Sequence, residues 1–346
     1  MIFRSRKLAN FCHRLFFGVI IVSCGCGTPF VKTPIDPRSQ QPSVSCDQAL
    51  VPTTRARHFD HVLIIVLENQ NYRDVISHPY FASLAQKGVN FTDSHGLFHP
   101  SYSNYLAMVA GREIPSFYDI QRDLPYETIA DRLHARRLTW KNYAEGYPTE
   151  LTKDPERCFT ESTAGSLYAR KHVPFLSFSW VQQHECDKIV PSSQFEKDLD
   201  NNDLPSYAFY SPDLEHDGHN PPLSPQEGLA QAAVFLAAFL EPRRDGRHFP
   251  KNTLIVVTFD ESYGQSYAEG NHIYTVFLGE MVKPGWYDGN YTHYNVLRTI
   301  EENFGLCPLA DGDGKAKPIM GVWQEVRPKG EAAVPPASPQ PCAKVH

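Results

Sequence analysis

Two stretches of the chain are apolar without alternation. His61–Asn69 reads HVLIIVLEN, in which six of the seven residues from Val62 through Glu68 are large aliphatics, and Thr253–Glu261 reads TLIVVTFDE. A run with neither strand alternation nor helical spacing is expected to be a strand buried on both faces, as in parallel sheets covered by helices. Pro205–Ser211 is a third strand of that sheet, and Val89–Thr92, Thr139–Tyr143 and Ile273–Leu278 add further strands. Helical spacing marks Pro79–Lys87, stopped by Gly88, then Ser103–Ala110, closed by Gly111, and Thr128–Leu138. Ser224, Pro225 and Glu227 form a capping box with proline in the first turn, opening a helix to Leu240. His293–Phe304 is a helix with Thr292 as cap and Gly305 as stop. Strands and helices alternate from end to end. That order implies an α/β fold with a single doubly wound, mostly parallel sheet and helices on both faces.

The ends of the chain break the pattern. Arg4, Arg6, Lys7 and Arg14 precede a short apolar run, Leu15–Val22, too short to span a bilayer as a mature helix. Residues 1–23 therefore read as an export signal, and Ile21-Val22-Ser23-Cys24 resembles the lipobox of bacterial lipoproteins. The expectation is an exported protein held at the cell envelope through lipid on Cys24; ordinary signal cleavage would leave it secreted or periplasmic. Residues 24–57, rich in Pro, Ser, Thr and Gln, read as a tether. The catalytic domain is expected over 58–310, with 311–346 a weakly ordered C-terminal extension. Export makes disulfides the default for the remaining cysteines, and none forms a zinc spacing. Cys158 with Cys186 is the expected pair, closing the loop-rich excursion over 145–190; Cys307 with Cys342 or Cys46 stays open. A formal charge of −6 without a basic block excludes a nucleic-acid partner.

Candidate chemistry sits where the strands end. Glu68 and Asn69 follow the first buried run and Asp260 and Glu261 end the second, at the rim where open α/β sheets collect ligands. Acids in such places also cap helices or start turns. Two pairs of oxygen donors on one rim suggest one divalent cation, with Mg²⁺, Ca²⁺ or Mn²⁺ favoured and Zn²⁺ also compatible. In FHPSYSNYLAMVAG, Ser101 lies at the mouth of a helix, where backbone N–H groups and the dipole favour a phosphate; a plain helix cap is the alternative. Were its oxygen also a metal ligand, its alkoxide would be accessible near neutral pH. Asn104, one turn on, is placed to meet a phosphoryl oxygen. After the third strand, His219 is a proton donor to a leaving alkoxide, with Asp217 orienting its ring and His216 a weaker candidate. His99, His272 and His293 fall near strand ends or helix starts and are further substrate-binding candidates.

These segments carry a resemblance. HVLIIVLEN, HPSYSNYLAMVAG, LYARKHVPF, DGHN, TLIVVTFDE and HYNVLRTIEENFG, in this order, resemble the bacterial phosphoesterase family of acid phosphatases and phospholipases C. The likeness is closest to its shorter secreted acid phosphatases such as the mycobacterial one, and runs from about His61 to Trp323. It implies the alkaline-phosphatase-like fold, one metal on Glu68, Asn69, Asp260 and Glu261, and Ser101 as nucleophile. It also implies phosphoryl contacts from Asn104 and His219. The family usually carries proline where this chain has Ser103, which is expected to loosen the turn; His272 falls at a position that varies. The expected activity is metal-dependent hydrolysis of phosphate monoesters through phosphoserine. The alternatives are a phospholipase C-type diesterase and a non-catalytic lipoprotein binding phosphorylated ligands. The expected partner is a small phosphorylated substrate, among them a phosphoinositide or phospholipid head group. The membrane would be met only through the N-terminal lipid, and oligomeric state is left open.

Overall fold

The computed structural model describes residues 58–324 apart from 117–122, 150–156, 164, 220–223, 245–248 and 265–269. In chain order the strands are β1 (His61–Leu67), β2 (Val89–Phe91), β3 (Ser94–His95), β4 (Trp140–Ala144), β5 (Ile189–Pro191) and β6 (Tyr207–Ser211). They continue with β7 (Thr253–Phe259), β8 (His272–Ile273), β9 (Thr275–Leu278), β10 (Gly285–Tyr287) and β11 (Tyr291–Thr292). The α-helices are α1 (Tyr72–Ser77), α2 (Pro79–Lys87), α3 (Ser101–Ala110), α4 (Ile129–Ala135) and α5 (Ser179–His184). The last four are α6 (Ser193–Asp200), α7 (Pro225–Arg244), α8 (His293–Phe304) and α9 (Asp311–Lys315).

The two apolar runs pair with each other at the centre of an eight-stranded sheet ordered β10-β2-β9-β7-β1-β6-β4-β5. β1 runs parallel to both neighbours, β6 and β7, while β9 is antiparallel to β7 and β2. The absence of alternation in β1 has a direct cause. Val62, Ile64 and Val66 face one apolar layer with Tyr105 and Leu106 of α3, Ile129 of α4 and Ile300 of α8. Leu63, Ile65 and Leu67 face the other, with Phe81 of α2, Phe195 of α6 and Leu236 of α7. Both faces are covered, so every position is apolar. The expected strand over 273–278 divides into β8 and β9 at Tyr274, which is buried and donates its hydroxyl to the Phe81 carbonyl at 2.9 Å.

Cys158 and Cys186 form the expected disulfide across the excursion. Cys307 is also disulfide-bonded, and the alternatives Cys46 and Cys342 lie outside the described residues, as do the signal and tether segments. Order continues past the expected boundary at 310. Asp313 is buried and accepts the N–H groups of Leu309 at 2.6 Å and Ala310 at 2.8 Å, closing α9. Ile319 and Val322 are buried in the core, and Val282 bridges Trp323. Those contacts overturn the expectation of weak order for 311–324; residues 325–346 lie outside the described ones. No helix among the described residues is long and apolar enough to cross a membrane.

Candidate active site

Three neighbouring strands, β6, β1 and β7, end at one rim, and backbone hydrogen bonds tie those ends together. The Glu68 N–H donates to the Asp217 carbonyl at 2.7 Å, the Asp260 N–H to Leu67 at 2.8 Å, and the Gln70 N–H to Glu261 at 3.2 Å. Asn69 takes a left-handed backbone, φ 54°, which asparagine tolerates better than most residues. Its N–H donates to Asp260 Oδ1 at 3.1 Å.

Ser101 is the first residue of α3 and only 4% exposed. Its Oγ donates to Glu261 Oε1 at 3.1 Å and accepts from Asn69 Nδ2 at 3.1 Å. The Pro100 N-cap contributes no side-chain bond. Ser103, where looseness was expected, instead accepts the Ser116 N–H at 3.0 Å and ties the first turn to the following loop. Asn104, expected to contact a phosphoryl oxygen, is engaged by the protein itself. Its Oδ1 accepts the N–H groups of Leu97 and Phe98, each at 2.9 Å, and its Nδ2 donates to Phe98 O and to Glu261 Oε2 at 3.2 Å. A buried amide with both ends engaged positions Glu261 and the loop before α3. His99 Nδ1 lies 3.0 Å from Glu261 Oε2, on the opposite side of that carboxylate from Ser101.

His219 meets Glu68, not Asp217: its Nδ1 is 3.2 Å from Glu68 Oε2. The Asp217 carboxylate accepts the His219 backbone N–H at 2.8 Å, so Asp217 shapes the turn while Glu68 orients the ring. The two other candidate histidines are bonded to backbone carbonyls. His293 is buried and lies 2.7 Å from the Asp260 carbonyl, supporting that strand end from behind. His272 Nε2 donates to the Thr92 carbonyl at 3.0 Å, in the three-stranded sheet β11-β3-β8.

A profile of the Phosphoesterase family matches residues 68–307, from the first of these acids to Cys307. The chain belongs to the Phosphoesterase family. It is 33% identical to the phosphatidylinositol-3-phosphatase of Mycobacterium tuberculosis, over 82% of this chain and 87% of that protein. It is 30% identical to a probable acid phosphatase of Kluyveromyces lactis, over 75% of this chain but 61% of that longer protein. Among solved structures, an alkaline phosphatase superfamily protein from Vibrio parahaemolyticus matches with a TM-score of 0.54 at 15% identity, covering 75% of this chain and 70% of that one. The chain therefore shares the fold of that alkaline phosphatase superfamily protein, and the enzyme hydrolyses phosphate esters.

The phosphoesterase also places at its rim two residues that sequence reasoning missed. Lys171 and His172 lie in a 3-10 turn, Arg170–His172, within the excursion. Lys171 Nζ is 3.0 Å and His172 Nε2 is 2.5 Å from Glu68 Oε1. Arg170 fixes the turn to α3 by donating to the Tyr102 hydroxyl at 3.0 Å, and Tyr105 stacks on His172 at 5.0 Å. Read from sequence, Tyr168–His172 drapes over the rim and LYARKHVPF stands among the family segments, but neither Lys171 nor His172 is given a role.

The charges here are heavily perturbed. Burial raises the Glu68 carboxyl, yet Lys171, His172 and His219 together hold it well below the usual carboxylate range. Asp217 is pushed up to about 7 by burial and then by Glu68. Asp260 is pushed well up by burial, then by Glu261 and Glu68. Asp217 Oδ2 and Asp260 Oδ2 are buried without a hydrogen-bond partner. Buried acceptors left unsatisfied beside other carboxylates are the situation a cation relieves, so the donor set fits a divalent ion. Ligand atoms of Glu68, His172 and Asp217 lie within 4.8 Å of one another, a set with a nitrogen donor that differs from the all-oxygen set expected. Glu145, Asp213 and His216 converge likewise on the next part of the rim, where His216 Nδ1 is already 2.7 Å from Glu145 Oε2.

Proposed function

We propose that the enzyme hydrolyses phosphate monoesters at this rim, with Ser101 as nucleophile and a divalent cation held among Glu68, Asn69, Ser101, Asp260 and Glu261, with His172 and Asp217 as further donors. The observation that carries the reading is the Ser101 hydroxyl, buried at the mouth of α3 with its proton directed to Glu261. The cation would supply positive charge that favours the serine alkoxide and the phosphoryl oxygens. In the first step Ser101 Oγ passes its proton to Glu261 and bonds to phosphorus, the bond to the leaving oxygen breaks, and His219 gives that oxygen a proton. The hydrogen bond to Glu68 raises the His219 pKa above 6.5, which favours the imidazolium needed for this. The N–H groups opening α3 face the oxygens of an anion at Ser101. Water then attacks phosphorus, the Oγ–P bond breaks, and phosphate leaves.

The name of the mycobacterial relative favours phosphoinositide head groups among the substrates. Export and lipidation at Cys24 belong to the same proposal, supported by the basic and apolar order of residues 1–23. Mass spectrometry of the mature N-terminus checks it; an unmodified terminus beyond Cys26 discards the anchor. The catalytic reading is tested by acid quench during turnover of p-nitrophenyl phosphate, with chelation and metal add-back in parallel. Phosphate on Ser101 and activity restored by one cation are expected. A Ser101→Ala enzyme near wild-type turnover, or full activity in metal-free protein, overturns it. Faster cleavage of p-nitrophenyl phosphorylcholine would make the enzyme a diesterase.

A further inference from the structure

A cavity of about 390 Å³ is lined by Tyr72, Arg73, Ile76 and His272. Its volume is that of a small-molecule site. One wall is a stack of rings: Tyr72 on His272 at 4.4 Å, and His272 on His95 at 5.2 Å. Each ring is pinned. Asn90 Nδ2 donates to the Tyr72 hydroxyl at 2.9 Å, His272 is held by Thr92, and His95 lies between Asp93 Oδ1 at 2.7 Å and Gly270 O at 2.6 Å. Asn90 is completely buried, and its Oδ1 has no hydrogen-bond partner. Because the Tyr72 oxygen accepts from Asn90, its own hydrogen is left to donate elsewhere. Arg73 is exposed, and its guanidinium has no hydrogen-bond or ion-pair partner among the described residues. The lining thus holds one cation, one hydroxyl donor and no carboxylate, a set suited to an anion.

Both walls spring from segments that hold the reaction centre. Tyr72 follows Asn69 by three residues, so their Cα atoms are no more than about 11 Å apart. His272 follows Asn271, whose side chain accepts the Ser262 N–H at 2.7 Å and donates to Phe98 O at 3.1 Å, next to Glu261 and His99.

The geometry points to a leaving-group subsite: the cavity takes an alcohol that carries a second phosphate, with Arg73 and the Tyr72 hydroxyl on that phosphate and Ile76 against the body of the alcohol. This rests on the phosphatase reading and names its substrate class. A guanidinium suits the task because its fixed fork pairs with two phosphate oxygens at once. A second phosphate is offered both by soluble polyol bisphosphates and by a phosphoinositide head group, whose diester is the second anion.

The test compares wild type with Arg73→Ala, Arg73→Lys and Tyr72→Phe on three substrates. These are phenyl phosphate, soluble inositol 1,3-bisphosphate, and phosphatidylinositol 3-phosphate in phosphatidylcholine vesicles. Arg73→Ala is expected to raise KM roughly tenfold for both bisphosphorylated substrates, the loss typical of one charged hydrogen bond. Constants for phenyl phosphate should hold, and Arg73→Lys should recover part of the loss. An equal effect on phenyl phosphate, no effect at all, or an effect on vesicles alone overturns the subsite, the last because Arg73 would then be meeting the lipid surface. Calorimetric binding of inositol 1,3-bisphosphate to the full chain separates the two readings. A chain that turns over nothing but binds the bisphosphate through Arg73 keeps the subsite and loses the phosphatase reading. One that hydrolyses phenyl phosphate without any Arg73 dependence loses the subsite alone.

Discussion

At the sheet rim Glu68, Asp217, Asp260 and Glu261 lie buried together; between α8 and α9, Glu301 and Asp313 do the same. Both groups contain carboxyls pushed well above their ordinary range. What faces them differs. Rim acids meet Lys171, His172 and His219, and leave Asp217 Oδ2 and Asp260 Oδ2 without partners. Asp313 is spent on backbone N–H groups, and Glu301 faces Asp313. A perturbed carboxyl alone does not mark a catalytic site. Nor does an orphaned oxygen, since Glu301 has two; the mark is the convergence of the strand-end acids with the Ser101 hydroxyl, Lys171, His172 and His219.

The largest effect that separates the two groups is expected at Asp260. Asp260→Ala should lower turnover about a thousandfold or more, as loss of a principal electrostatic element does. In chelated protein Asp260→Asn, which keeps an oxygen to accept the Asn69 and Glu261 N–H groups, should leave Tm unchanged or higher, because one of several crowded buried charges is gone. Turnover, metal content and Tm with and without chelator check this. A drop in Tm of the chelated variant would make the rim acids structural, like those at α9, and erase the contrast.

His219 sharpens the rim side. His219→Gln should cut kcat roughly a hundredfold for alkyl phosphates, within the range of general acid catalysis. For p-nitrophenyl phosphate, whose leaving group needs no proton, the loss should be slight. The raised pKa means that the imidazolium is present below it and lost as pH rises through it. Wild-type kcat should therefore fall on an alkaline limb above pH 6.5 that the variant lacks. A limb that persists in His219→Gln would assign the proton to another group.

Asp313 breaks the other side. Asp313→Ala leaves the Leu309 and Ala310 N–H groups buried without an acceptor, at a loss of about 2 kcal/mol for the pair. Chemical denaturation should show that loss, while activity per folded molecule stays at wild type. A specific-activity loss as large as that of a rim variant would show that the α9 acids also reach the reaction centre.

How much of this was legible in the sequence follows from the range of the interactions. The central strands were legible because apolar residues on both faces leave no other reading for HVLIIVL and TLIVVTF. Glu68, Asn69, Asp260 and Glu261 were legible as a consequence, since strand ends fix the rim. Ser101 was legible from Pro100 and the following helix. Lys171 and His172 were not, because a 3-10 turn has no long period, and 104 residues separate His172 from Glu68. Nor was the partner of the His219 ring: nearness in sequence favoured Asp217, whereas the fold spends that acid on the His219 backbone. The α9 segment, DGDGK, reads as tail by composition. Gly312 is there for close approach: a Cβ on it would come within 2.6 Å of the Gly111 carbonyl, which accepts the Gly312 N–H at 3.0 Å.

The smallest expected effect concerns Glu301. Both of its oxygens are buried without a donor, and Arg298 Nη1 stands 3.7 Å from Oε2, beyond hydrogen-bond distance. The groups facing it are Asp313 from α9, Arg298 from its own helix and Arg132 from α4. Burial, then Asp313, raises the Glu301 pKa well above 4.5, with the two arginines opposing. Two facing carboxyls fit together only when one carries a proton. For an acid whose folded pKa is raised, the stabilisation is complete below the unfolded value, here 4.5, and is lost as pH rises through the folded value. Glu301→Gln replaces the proton with an amide N–H that donates to Asp313 at every pH. The variant should match wild type in Tm near pH 4.5 and exceed it by roughly 3 °C at pH 8, about 1 kcal/mol for a chain of this size. Thermal scans across that range at constant ionic strength, in the presence of chelator so that rim ligands do not contribute, give the difference directly. A Tm gap that is constant with pH, or that widens toward acid, would show that Glu301 is ionised in the folded protein and that the α9 junction is held by its arginines instead.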